Sequence, residues 1–350
     1  LPLIRAFDEV VHLTDAEVDA LWSLIVLRGA TLVVSGLQQV AIDEGNDYAE
    51  EALEREWTIF AVPAGLDSRV ATSAIRRALG RNVVPGPGPG SASGGVTMLD
   101  AQLARSARVV TLDYTSTSLR DGSWLGEEGA EAEAQLLLLA ARSSGVAATR
   151  FGEPRLTRSV GVTHDAPVNV ATGVELYSTG DLALVAPFDG LVSAADGHVT
   201  ISDGARTIVV AGARGLIEGR SLEGESPEES TRVQAGEPFC EIAGWAQVTL
   251  QLGEVSALDA AAAPVPRFVT TEEFPAWLAV IGDPSELVGL TPSDVRAGGA
   301  EETLRARLDA YAPLQGHYYA HPPQIERGWR EMLIDTDGRH YLDMVNNVTA

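Results

Sequence analysis

Between Asp181 and Leu252, short apolar runs alternate with clusters of Gly, Asp and Pro. Positions 182–185, 191–193, 198–201, 207–210, 239–242 and 247–252 each have the length and alternation of a strand. Pro187, Asp189 and Gly190 supply one tight turn, and residues 234–237 a second. This stretch predicts a compact antiparallel β domain. Before it the apolar period is helical. Thr14 and Glu17 form a capping box, followed by Val18, Leu21, Trp22, Ile25 and Val26 at helical spacing. A second run carries Leu32, Val33, Leu37, Val40 and Ala41, and a third spans 47–60 with Tyr48, Ala52, Leu53 and Trp57 on its stripe.

The rest of the chain sets the domain organisation. Residues 85–95 are uncharged and rich in Pro, Gly and Ser, as a linker is. After them, 107–114 reads as a strand and 128–141 as a helix ending near Gly145. Beyond the β stretch, 271–281 reads as a short helix anchored by Trp277, and 283–290 as a turn plus one helical turn. Residues 300–310 form an amphipathic helix with Leu304 and Leu308 on one side. The chain closes on a predicted hairpin around Asp337 and Gly338. The expected fold is α+β and multidomain. Helices occupy 1–82, a linker 83–96, a β-rich domain 97–262, a helical connector 263–316, and the start of a further domain 317–350.

Composition narrows the chemistry. The 350 residues carry a formal net charge of −24, which repels nucleic acid and anionic membranes. All 25 basic residues are Arg. Without lysine, these residues can form no pyridoxal-phosphate Schiff base, carry no biotinyl or lipoyl group, and build no P-loop. The single cysteine, Cys240, lies on a predicted core strand, so an internal disulfide is excluded and a cytoplasmic setting is expected. No apolar run of transmembrane length and no signal peptide is expected. A first residue other than Met, and an end inside an apparent strand, read as a piece of a longer polypeptide.

Three sets of motifs resemble known families. Ala186-Pro187-Phe188-Asp189-Gly190-Leu191-Val192, then Val199-Thr200-Ile201 with Gly204, then Val233-Gln234-Ala235-Gly236-Glu237 resemble the lysostaphin-type zinc metalloendopeptidases over roughly a hundred residues. That family's closing strand carries two histidines on one face to grip zinc. Gln247 and Thr249 stand in those positions here, and an amide and a hydroxyl are poor zinc ligands, so the resemblance implies a peptidase fold with its metal centre lost. His164 and Asp165 lie where the family keeps its first His and Asp, although the family's spacing sets Gly161 opposite that His when Asp165 takes the Asp position. His198 begins a strand; a hydrogen-bonded turn histidine is the expectation for His164 and His198 alike.

Residues 13–28 and 52–60 resemble the C-terminal helices of aminoglycoside-phosphotransferase-like kinases, whose catalytic loop would precede Leu1. At the other end, Pro323, Ile325, Arg327 and Gly328, followed by Leu333, Asp335, Asp337, Gly338, Arg339 and the run Tyr341-Leu342-Asp343, resemble the N-terminal start of class III pyridoxal-phosphate aminotransferases. The cofactor lysine and phosphate loop of that family would lie beyond Ala350.

These readings compete. The chain is expected to be the non-catalytic centre of a class III aminotransferase fusion. It would hold no catalytic, cofactor or metal residue itself, pyridoxal phosphate would serve the parent protein, and the partners would be the rest of the polypeptide and a second subunit of a homodimer. A cell-wall zinc endopeptidase and a non-catalytic binding or spacer module are the alternatives. Neither nucleic acid nor a membrane is an expected partner.

Overall fold

The computed structural model describes residues 2–43, 45–82, 96–119, 122, 124–125, 129–159, 165–195, 197–217, 220–221, 231–253, 264–292, 300–310 and 322–344. The fold is α+β, and the chain divides into two units. The linker read at 85–95, and His164 with Gly161, lie outside the described residues.

The first unit comprises residues 1–88, 252–265 and 275–281. Its helices are α1 (Pro2–Val11), α2 (Asp15–Ile42), α3 (Asp47–Ala64) and α4 (Ser68–Ala78). The capping box forms as read: the Thr14 hydroxyl accepts from the Glu17 amide, and the Glu17 carboxylate accepts from the Thr14 amide at 2.7 Å. The two apolar runs that follow are one continuous helix, because nothing between Val26 and Leu32 breaks it. Gly29 lets α2 approach α3 closely, since a Cβ there would stand 3.2 Å from the Phe60 backbone. The Asp19 carboxylate of α2 accepts from Nε and Nη2 of Arg76 on α4, at 2.7 and 2.8 Å.

One expectation is corrected here. At 28 residues, with an 18-residue window of mean hydropathy 1.7, α2 is long and apolar enough, by length and composition, to cross a membrane. Arg28 interrupts the apolar run to the eye, but Leu24, Ile25, Val26 and Leu27 before it and Leu32, Val33 and Val34 after it keep the stretch apolar. Leu24, Leu27, Val34 and Leu37 are each more than 45% exposed.

The second unit comprises residues 89–251, 266–274 and 282–350. Its helices are α5 (Ala101–Ser106) and α6 (Gly129–Ser144), followed later by α8 (Ser285–Val288) and α9 (Ala300–Ala310); α7 (Phe274–Trp277) begins at the unit's edge. Its strands run β1 (Arg108–Val109), β2 (Val146–Ala148), β3 (Val170–Ala171), β4 (Val174–Val185), β5 (Gly190–Ala195), β6 (His198–Ser202), β7 (Arg206–Ile217), β8 (Arg220–Ser221), β9 (Thr231–Val233), β10 (Pro238–Leu252) and β11 (Phe268–Val269). Then follow β12 (Ile281–Gly282), β13 (Ile325–Trp329), β14 (Met332–Asp335) and β15 (His340–Leu342). The main sheet runs β1-β2-β4-β10-β7-β6-β5-β9, with β1 and β2 parallel.

The alternation read at 182–210 does mark β5, β6 and β7, whose inward residues Val192, Val199, Ile201, Ile208 and Val210 are fully buried. Two strands read separately at 239–242 and 247–252 are one, β10, bent by a bulge at Gly244, whose φ of 87° suits glycine. The helix read at 271–281 shrinks to α7, whereas 300–310 forms α9 as expected. At the C-terminus a third strand, β13, joins the hairpin of β14 and β15. A core of Leu112, Tyr114, Leu119, Trp124, Leu137, Leu156, Tyr177 and Ile334 joins α6 and β2 to this small sheet.

Candidate functional site

Gln247 and Thr249 sit two apart on β10 and share a face. Both are buried, at 6% and 8% exposure. Gly173 makes this packing possible, because a Cβ there would lie 2.5 Å from the Val248 carbonyl and 2.8 Å from the Thr249 hydroxyl. The neighbouring strand β4 sets Glu175 opposite Gln247. Asp165, the carboxylate singled out from sequence, is instead exposed. His198 is also exposed, at the start of β6.

Glu175 belongs to a buried charge cluster that sequence reading missed. Its Oε1 accepts from Arg267 Nε at 2.8 Å and pairs with Nη2 at 2.6 Å. Its Oε2 faces Arg155 Nη2 at 3.7 Å. Arg155 is fully buried and donates from Nη1 to Glu133 of α6 at 2.9 Å. Its Nε lies 3.6 Å from Glu153 Oε2. Glu153 Oε1 in turn accepts from the Leu112 amide at 2.8 Å and from Arg150 at 2.7 Å. Arg150 also pairs with Asp113, and the Thr157 hydroxyl donates to Glu133. Arg158 lies 4.0 Å over the Phe268 ring, which Arg267 also approaches at 5.2 Å.

The set of Asp113, Glu133, Glu153 and Glu175 with Arg150, Arg155, Arg158 and Arg267 is formally neutral, which lowers the cost of taking its charges out of water. Burial opposes the charge on Arg155, but Glu133, Glu175 and Glu153 outweigh it and hold its pKa above the usual value. Arg158 moves the other way, because burial and the nearby Arg267 and Arg155 dominate over its carboxylates. Burial, with Glu175 and Glu133 close by, also keeps the Tyr177 phenol protonated well beyond its ordinary range.

Chemically, the cluster ties α6, the segment 149–158, β4 and β11 together. Each of its buried carboxylates already faces a guanidinium. Among the described residues no group of three or more His, Cys, Asp or Glu is arranged to hold a metal ion. Cys240 is buried on β10, and burial pushes its thiol pKa up, away from thiolate chemistry. One shallow groove of about 370 Å³ lies against β4, lined by Leu138, Arg142, Asp181 and Gly244 among others.

No sequence signal announced Glu133, Glu153, Arg155, Glu175 or Arg267. Charged letters inside strands and helices read as solvated faces, and only the topology shows that five of them converge.

No protein-family model matches the chain, and no curated protein matches it. Two solved structures of Helicobacter pylori Csd3 are similar at 11% identity, with TM-scores of 0.20 and 0.21. They cover 40% and 47% of this chain, and the chain spans 36% and 40% of theirs. At such TM-scores the likeness carries no argument.

Proposed function

We propose that this chain is the non-catalytic centre of a multidomain protein, in which the β-rich unit is a scaffold between a phosphotransferase-like helical part and a class III aminotransferase. One observation supports the scaffold reading most. The carboxylate opposite Gln247 is hydrogen-bonded by Arg267 through Oε1, and Arg155 stands 3.7 Å from its Oε2. A metal ion there would have to displace a guanidinium from a buried carboxylate, which is strongly unfavourable without a replacement charge. Glu175, the carboxylate beside Gln247, is thus committed to holding elements together.

On this reading the catalytic chemistry belongs to the rest of the polypeptide. Pyridoxal phosphate would supply the electron sink for amino-group transfer, held by a lysine that these residues lack. The partners are then the same polypeptide and a second aminotransferase subunit. A cytoplasmic setting belongs to the same proposal, with the buried thiol of Cys240 suited to a reducing compartment. The test is spectroscopic. The product of the whole reading frame should bind pyridoxal phosphate with the absorbance of a lysine aldimine and exchange amino groups between an amine and a keto acid. A full-length product with no such absorbance would remove the aminotransferase and leave a spacer module.

A further inference from the structure

The small C-terminal sheet buries a titratable ring that the scaffold role does not use. His340 opens β15 and is 1% exposed, and neither ring nitrogen has a hydrogen-bond partner among the described residues. Its ring meets Trp124 edge to face, with centroids 6.1 Å apart. Trp124 meets Trp329 of β13 in the same manner at 6.2 Å. Trp329 and Ile334 reach the core that holds Trp124 and Leu137, so these rings form the apolar part of the sheet's attachment to the unit, beside the hydrogen bonds of Arg327. A neutral imidazole there leaves one N–H and one acceptor nitrogen unpaired, a smaller cost than a bare charge. An imidazolium buried there without partners is not, because desolvation falls on the charged form.

The charged groups around the ring do little to shelter a proton. On β14, Asp335 is 3% exposed, but its carboxylate already accepts from the amides of Asp337 and Arg339 and from the Tyr341 hydroxyl. Arg339 and Asp337 pair with each other at the turn. On β13, the Arg327 guanidinium lies 5.4 Å from the Trp124 ring and donates to the carbonyls of Tyr114, Ser116 and Leu119. It adds positive charge beside the indole that His340 touches. Facing the turn at Gly338 are the Tyr114 hydroxyl and the Asn169 amide, already bonded to each other.

We propose that His340 is an acid-sensitive latch: neutral, it lets β13, β14 and β15 dock through Trp329 and Ile334; protonated, it releases that sheet from the rest of its unit. Burial lowers the His340 pKa below the ordinary value, and Asp335 opposes the shift only in part. The undocked form therefore takes up a proton at a pH where the docked form does not. Docking is complete above the ordinary histidine pKa and weakens as pH falls through it toward the depressed value.

Hydrogen exchange read by mass spectrometry on the 350-residue chain tests this, at pH 7.5 and 5.5, with rates corrected for intrinsic pH dependence. Peptides covering 325–342 should lose protection by up to about tenfold at the lower pH, one unit below the ordinary histidine pKa. Peptides covering 174–185 and 238–252 should change by less than about twofold. In H340F, whose ring gains no proton, protection at 325–342 should be the same at both pH values. Unchanged protection of 325–342 in the wild type, or a loss shared with 174–185, would overturn the latch whatever the variant does. An acid response in H340F equal to that of the wild type would overturn it too.

Discussion

Arg155→Met removes the one charge that all three fully buried glutamates of the cluster face. Methionine keeps most of the side-chain volume, so the variant tests charge and not a cavity. The lost contacts are Glu133 at 2.9 Å, Glu153 at 3.6 Å and Glu175 at 3.7 Å. Each such pair attracts by about 4–6 kcal/mol at an effective dielectric of about 20. Desolvation of the guanidinium offsets much of that sum. Glu153 retains Arg150 and the Leu112 amide, and Glu175 retains Arg267. Glu133 retains the Thr157 hydroxyl and, among the described residues, no guanidinium at hydrogen-bond distance. The net loss is therefore set mainly by stranding Glu133, about 3–5 kcal/mol by analogy with other broken buried pairs. Urea unfolding followed by tryptophan fluorescence reads it as a lower midpoint at unchanged slope. Adding Glu133→Gln to the variant should recover at least about 1 kcal/mol, because the stranded charge is then gone. A loss below about 1 kcal/mol, or no recovery in the double variant, would refute the reasoning.

Gly173→Ala should cost about 1–3 kcal/mol in the same assay, since the new Cβ must push β10 away from β4; a neutral result would mean the two strands are not this close. Thr14→Ala should lower the stability of the helical unit by about 0.5–2 kcal/mol, read by far-ultraviolet circular dichroism on heating, because the Glu17 amide loses the hydroxyl that caps it. Trp124→Ala, at a fully buried ring shared by α6 and the C-terminal sheet, should cost about 3–5 kcal/mol and abolish much of the near-ultraviolet circular dichroism.

The parts of the fold that were legible in the sequence are those where local signals and tertiary contacts agree. The Thr14–Glu17 box starts α2, and the alternation of Val192, Val199, Ile201 and Val210 marks strands with one buried face. The first half of β4 was not legible. Glu175 and Tyr177 break its apolar pattern, and Glu175 is buried only because Arg267 and Arg155 reach it from remote segments. The two strands expected at 239–242 and 247–252 join as β10 because Gly244, at positive φ, carries a bulge that keeps the pairing with β4 continuous around it. The helix expected at 271–281 failed because backbone bonds there close short turns instead, as between the Val280 amide and the Trp277 carbonyl. For the candidate site, Gln247 and Thr249 were identified from a motif position, but their true neighbour was hidden. Asp165 is near His164 in sequence, whereas Glu175 is opposite Gln247 only through the register of β4 and β10.

The scaffold proposal holds that arginines occupy the buried glutamates Glu133, Glu153 and Glu175 and that the β-rich unit binds no catalytic metal. Equilibrium dialysis of the metal-free 350-residue chain against micromolar zinc, followed by elemental analysis, tests this directly. The account predicts zinc far below one equivalent, unchanged by Glu175→Gln or Asp165→Asn. One tightly held equivalent, lost in either variant, would contradict it.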